Sequence, residues 1–150
     1  MNLAETLSLI ITAIGIVFAA FTYFRDCRRK KISETLEAYR RMQSEVFSRL
    51  NEWKPSEIKE AVEDRTTSAY NELSGYLAET EHFCIGINRR MYDFETFYQL
   101  SHGYFDSERG KLMARLHPLL EAKIQFADED YYNNIHKVWK RMRNRAKHKL

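Results

Sequence analysis

Glycine and proline are scarce in this chain, at five and two residues in 150. Turn-rich β architectures draw heavily on both, so their scarcity argues for long helices. Cysteine is scarcer in effect: Cys27 and Cys84 stand far apart and make no metal-ligand pattern. A bridge between them is a poor prospect, and reduced thiols in a cytosolic setting are the better expectation. No Gly-rich phosphate loop, nucleophile elbow or zinc spacing occurs, so no cofactor and no metal are expected. With 44% hydrophobic and 30% charged residues the chain is not of the disordered class. Its length suits one domain beside whatever the first thirty residues are.

What is present is unevenly placed. The net charge of +3 conceals +4 in residues 25–31, "RDCRRKK", and +7 in residues 137–150, which contain no acid. The remainder therefore carries −8. Two basic patches on an acidic body point to two anionic partners, or to one partner and a membrane.

Thr6 to Phe24, "TLSLIITAIGIVFAAFTYF", carries no charge. Its length as a helix is about 28 Å, close to the hydrocarbon thickness of a bilayer. Tyr23 stands where an interfacial aromatic belongs, and Arg25, Arg28, Arg29, Lys30 and Lys31 follow at once. A cleaved signal peptide would place its positive charge before the apolar core, whereas only Glu5 precedes it here. A buried helix of a soluble protein is the other alternative. The expectation is a retained membrane helix, residues 1–31 with its basic flank, and a cytoplasmic domain over 32–150. The positive-inside rule puts the N-terminus outside and the C-terminus in the cytoplasm.

One face of that helix is slim. Ser8, Thr12, Gly15, Ala19 and Thr22 recur at heptad steps, while the bulky residues lie elsewhere around it. Helices in lipid approach one another through such small residues. A plain helix–helix contact is one reading; a pore lined by several copies is another. With helices about 10 Å across, four copies leave a lumen about 2 Å in radius and eight leave about 8 Å.

Beyond the basic run, Ile32, Leu36, Tyr39, Gln43, Val46, Leu50 and Trp53 continue the 4-3 alternation, which predicts an unbroken stalk ending near Pro55. A second seam, Tyr70, Leu73, Leu77, Thr80, Cys84 and Ile87, predicts a long helix that could start as early as Ser56. Asp93 reads as the N-cap of "FETFYQLSHGYF", with Phe94, Phe97 and Tyr98 on one face. "SERGKLMARLHPLLEAKI" continues as helix with Met113, Leu116, Leu120 and Ile124 inward, Pro118 kinking it or opening a new segment. Asp128 is expected to cap a last helix facing the core with Tyr131, Ile135, Val138, Trp139 and Met142. No segment alternates with period two. The fold class is all-α: a membrane helix continuing as a stalk into a bundle of about four or five helices.

The terminal "RNRAKH" places four residues between Arg143 and His148, with Asn144 directly after the arginine. A guanidinium can grip a scissile phosphate with two prongs, and an imidazole can move a proton at a ribose oxygen near neutral pH. Such an arginine–histidine pair arises by chance about 0.5 times in this composition; requiring the asparagine lowers this to about 0.02. The plainer reading is a solvated basic helix end. His82, His102, His117 and His136 are scattered, and Glu79, Glu81 and His82 within one turn read as a solvated face.

This combination resembles the small membrane accessory proteins encoded beside the RNA-targeting effector of type VI-B CRISPR systems, which carry a divergent Arg-x(4–6)-His motif of the HEPN ribonuclease superfamily. Arg143, Asn144 and His148 match that motif, and Arg141 with His148 fits its looser gap. The stretch "LSGYLAETEHFCIGINRRMYDFETFYQLSHGYF" is similar to a wider group of bacterial single-pass membrane proteins. The resemblance implies a divergent HEPN-like bundle on a helix in the bacterial inner membrane. It further implies a homo-oligomeric ring of eight around a pore, and enhancement of RNA-guided antiviral defence through membrane depolarisation. Implied partners are further copies of the chain, membrane lipid, and RNA or the RNA-guided nuclease. The motif at the chain end then reads as a relic of ribonuclease ancestry serving packing or ligand contact, so no enzyme activity is expected. A membrane-tethered ribonuclease and a membrane scaffold for a cytosolic partner are the two alternatives.

Overall fold

A computed structural model describes residues 2–105, 111–124 and 132–147. It is all-helical, with no strand among the described residues. Helix α1, Leu3–Met42, opens on the Asn2 N–H, which donates to Glu5 Oε2 at 2.9 Å and so satisfies one end-of-helix donor. A π turn, Gln43–Phe47, follows without interruption and passes into α2, Ser48–Glu52. This run of 50 residues ends where Trp53 takes extended backbone, and Pro55 opens α3, Pro55–Glu63, at the first helical position that tolerates it. The stalk thus stops where the proline predicts.

The seam of the stalk differs from the expected one. Thr35, Ala38 and Met42 are buried, whereas the expected Ile32, Leu36, Tyr39 and Gln43 are half-buried beside them. Below the π turn, Val46 and Leu50 are buried as expected. A π turn holds one residue more than an α turn, so a strict heptad extrapolated across it lands one position off.

The single helix expected from Ser56 is two. Between α3 and α4, Ser68–Asn88, the Asp64 carboxylate accepts from the Thr66 amide and hydroxyl at 3.1 and 2.7 Å. The Thr67 hydroxyl accepts the Tyr70 amide at 3.2 Å. Short polar side chains here offer the backbone an alternative to the helical ladder. The α4 seam is otherwise as read: Tyr70, Leu73, Leu77, Thr80, Cys84 and Ile87 are all buried.

Helix α4 packs on α1 and the π turn, and the turn that follows it meets Thr35. It therefore runs back toward the apolar end of α1. Helix α5, Phe94–Phe105, returns alongside, capped by Asp93, whose Oδ1 accepts the Thr96 amide and hydroxyl at 2.8 and 2.7 Å. Its aromatic face enters an edge-to-face cluster: Phe97 meets Phe83 at 5.2 Å, Phe105 at 5.5 Å and Tyr39 at 6.2 Å between ring centroids. Helix α6, Lys111–Ile124, passes through Pro118 without starting a new segment and buries Leu112, Leu116, Leu119 and Leu120. Ser107–Gly110, Asp128 and Tyr131, and the side chains of Met113 and Ile124, lie outside the described part of the structure. Helix α7, Asn133–Lys147, lies mainly on α4 with Ile135, Val138 and Met142 buried and Trp139 half-buried. Cys84 is buried in the core, where desolvation pushes its thiol pKa well up, and both it and Cys27 are free thiols.

Candidate functional site

Two regions carry the chemistry: the bare upper half of α1, and the basic face of α7. In the first, every residue from Leu7 to Phe21 is exposed, because the bundle packs only on the lower part of the helix. The helix is long and apolar enough to cross a membrane. Ser8, Thr12, Gly15, Ala19 and Thr22 fall within an arc of about 80° at 100° per residue. The Thr12 and Thr22 hydroxyls donate to the Ser8 and Phe18 carbonyls at 2.8 and 2.9 Å, so neither donor is left bare on an apolar helix. At Gly15 an added Cβ meets nothing within 4 Å, so within one copy the space beside it is open.

Arg25, Arg28, Arg29, Lys30 and Lys31 are all exposed just below, with loose surface pairs from Arg25 to Asp26 (4.0 Å) and Lys30 to Glu34 (3.9 Å). One turn further, the buried Thr35 hydroxyl accepts the Asp93 amide at 2.7 Å and donates to the Lys31 carbonyl at 2.7 Å. Burial alone would raise the Asp93 carboxyl; the hydrogen bonds from Thr96 and the charges of Arg28 and Lys31 outweigh it and leave the pKa lowered. The turn between α4 and α5 therefore sits against the basic flank of the apolar helix.

Helix α7 is fastened by a side chain from α4. Glu81 accepts the amides of Asn134 and Ile135 at 3.1 and 2.9 Å and the Asn134 side-chain amide at 2.7 Å, a tertiary N-cap. The expected solvated face around Glu81 is thus corrected: its carboxylate is half-buried and bound. Near the other end, Arg145 grips Glu95 through two parallel hydrogen bonds at 3.2 and 3.0 Å, which raise its pKa. Asn88 donates to both oxygens of Asn134 at 3.2 and 3.0 Å, closing the join between α4 and α7.

The motif residues divide. Arg143 and Asn144 are exposed on α7, and His148 lies outside the described residues. The Arg143 guanidinium lies 5.4 Å from the Trp139 ring centre, and Arg141 lies 4.0 Å from that of Phe94. Arg143 and Asn144 share a shallow groove of about 440 Å³ with His136, Trp139, Lys140 and Lys147. The imidazole placed beside Arg143 is that of His136, two turns back on the same face, which a scan for the Arg-x(4–6)-His order passes over. Among the described residues no three His, Cys, Asp or Glu side chains group to hold a metal ion. Thr35, Glu81 and Glu95 are ordinary polar residues in the sequence; their roles depend on partners about fifty residues away, which local spacing cannot announce.

Comparison with protein-family models, curated proteins and solved structures finds no match to this chain.

Proposed function

We propose that this is a single-pass membrane protein of the bacterial inner membrane, N-terminus outside, whose copies meet through Ser8, Thr12, Gly15, Ala19 and Thr22 to form a pore. The cytoplasmic bundle, a divergent HEPN-like domain in this reading, governs assembly. The single observation that carries it is the bare apolar helix: Leu9, Ile16 and Phe18 are 59%, 65% and 69% exposed, on a segment with no cover from the bundle. An apolar patch of that extent is foreign to the surface of a soluble monomer and marks a lipid or protein contact. The slim face and the open space beside Gly15 favour close contact with further copies. A ring of eight gives a lumen of about 8 Å radius, wide enough for hydrated ions. The resemblance to the type VI-B accessory proteins supplies the setting, which is depolarisation that strengthens RNA-guided antiviral defence.

The test is size and conductance together. The purified chain in detergent should run as a large oligomer, and its reconstitution should release dye from loaded liposomes. A monomer or dimer that leaves vesicles tight sinks the proposal.

A second reading is favoured by one observation: Arg143, Asn144 and His136 share an exposed groove. A membrane-tethered ribonuclease would cleave labelled single-stranded RNA and lose that activity in Arg143→Ala, His136→Ala or His148→Ala. Uncut RNA discards it.

A further inference from the structure

Beside the motif groove lies a second one, about 670 Å³, between the end of α4 and α7. Four cations line it: Arg90, Lys137, Lys140 and Arg141, with three asparagine side chains between them and no acid. Among the described residues none of the four takes part in an ion pair. This is unusual in a body whose remaining charge is negative, and the contrast with Arg145 on the same helix is direct, since Glu95 neutralises that one. Arg141 is exposed as a residue, yet its guanidinium lies against Phe94. Partial desolvation there, and secondly the like charge of Arg90, lower its pKa. Two guanidiniums thus lie near one another without a counter-charge, Arg141 donating to Asn88 Oδ1 at 3.5 Å.

Arg90 is also held awkwardly. Its φ of 59° is the left-handed conformation that ends a helix and normally falls to glycine or asparagine. The amides of Met91 and Tyr92, both donating to the Gly86 carbonyl at 2.9 and 3.2 Å, fix the turn around it. A strained arginine beside three other cations is poor design for stability alone and suits a site where phosphate groups gather, one or several at a time. A guanidinium fork can hold two oxygens of one phosphate at once.

The place of the groove selects the source of that phosphate. The turn bearing Arg90 is tied to the stalk at Thr35, and the neighbouring Asp93 feels the charges of Arg28 and Lys31. From Phe24 to Thr35 the helix rises about 16 Å, and the headgroup layer takes about 6 Å of it. The remaining distance of about 10 Å is one screening length, within reach of an extended arginine or a protruding headgroup. Met91, next to Arg90, is 58% exposed and gives the turn an apolar tip. We infer that the groove between α4 and α7 binds the phosphate of acidic phospholipid headgroups and holds the bundle down against the membrane. The inference rests on the membrane-anchored reading above.

Amide hydrogen exchange of the full chain tests it, in nanodiscs of phosphatidylglycerol against nanodiscs of phosphatidylcholine. Acidic lipid should slow exchange over residues 86–92 and 137–144 by about threefold or more, reversed by ~0.5 M salt. Arg90→Gln with Arg141→Gln should abolish the difference, while Lys59→Gln on α3 should keep it. Equal exchange in the two lipids overturns the inference. So does protection by inorganic pyrophosphate or single-stranded RNA where acidic lipid gives none, which would assign the groove to a soluble anion or to nucleic acid. Extraction of the chain from vesicles by alkaline carbonate is a separate readout: it would remove the membrane-anchored reading, while the lipid comparison on the released chain would still decide the groove.

Discussion

The Asp93 amide and the Thr35 hydroxyl meet at 2.7 Å across 58 residues of sequence, and the same hydroxyl donates to the Lys31 carbonyl. Thr35 is fully buried on the bundle side of α1, so this relay keys the α4–α5 turn to the stalk just below its basic flank. Thr35→Val keeps the shape and removes the acceptor. The orphaned amide should cost about 1–3 kcal/mol, read as a lower thermal midpoint by circular dichroism in detergent. An unchanged midpoint would mean that water replaces the hydroxyl.

The Asp93 carboxyl gives stability a pH dependence. Its folded pKa lies below the ordinary 3.8, so its contribution is fully present above that value. It is lost as pH falls through the lowered folded pKa. Asp93→Asn should therefore flatten the fall of the unfolding midpoint below about pH 4. Asp64, lowered by its two hydrogen bonds from Thr66, remains in both proteins, so the difference between them isolates Asp93.

Glu81→Ala should loosen α7. Three donors from Asn134 and Ile135 lose their acceptor, at a cost of about 1–2 kcal/mol. Limited trypsin digestion, which cuts after the many basic residues of α7, should then proceed faster there in the variant than in the parent chain, with cutting after Lys59 on α3 as the reference. Equal rates would show that the packing of Ile135, Val138 and Met142 suffices alone.

Gly86 and Gly75 on α4 should respond oppositely to alanine. A Cβ at Gly86 would overlap the Tyr92 ring, which is stacked on Phe83 at 5.4 Å and cannot easily yield. Gly86→Ala should destabilise by about 1–3 kcal/mol. Gly75 faces open space, and Gly75→Ala should stabilise by up to about 1 kcal/mol.

Gly15→Ile separates fold from assembly. Since nothing lies within 4 Å of a Cβ added there and the bundle packs only on the lower part of the helix, the unfolding midpoint of the bundle should stay unchanged. Oligomer size in detergent and dye release from liposomes should both fall. Intact release with the bulky residue would exclude this face as the contact.

Much of this architecture was legible in the sequence wherever a helix is straight and its seam fully buried. Tyr70 through Ile87 is the clearest case, and Asp93 announced its cap because a short acceptor stood just before an aromatic-rich helix. A heptad carried along the stalk falls one residue off above the π turn, because nothing in "QSEVF" signals that turn or its surplus residue. The break at Asp64–Thr67 was hidden by an apolar pattern that survives on both sides of it. At the site, Arg143 and Asn144 were visible as residue types, but Arg90 and Arg141 became a pair only when α7 lay across the end of α4. Contacts between residues about fifty positions apart leave no trace in local periodicity.

The unbroken ladder of α1, 40 residues from Leu3 to Met42, fixes a compass bearing between its two ends. Counted at about 100° per residue, the side turned to the bundle by Thr35, Ala38 and Met42 points about 150° away from the side bearing Gly15 and Ala19. Copies gathered around their slim sides would carry their bundles on the outer circumference, like petals around a narrow throat. Neighbouring bodies would then stand side by side on that rim, so their width, and not the membrane helices alone, would limit how tightly the throat can draw in.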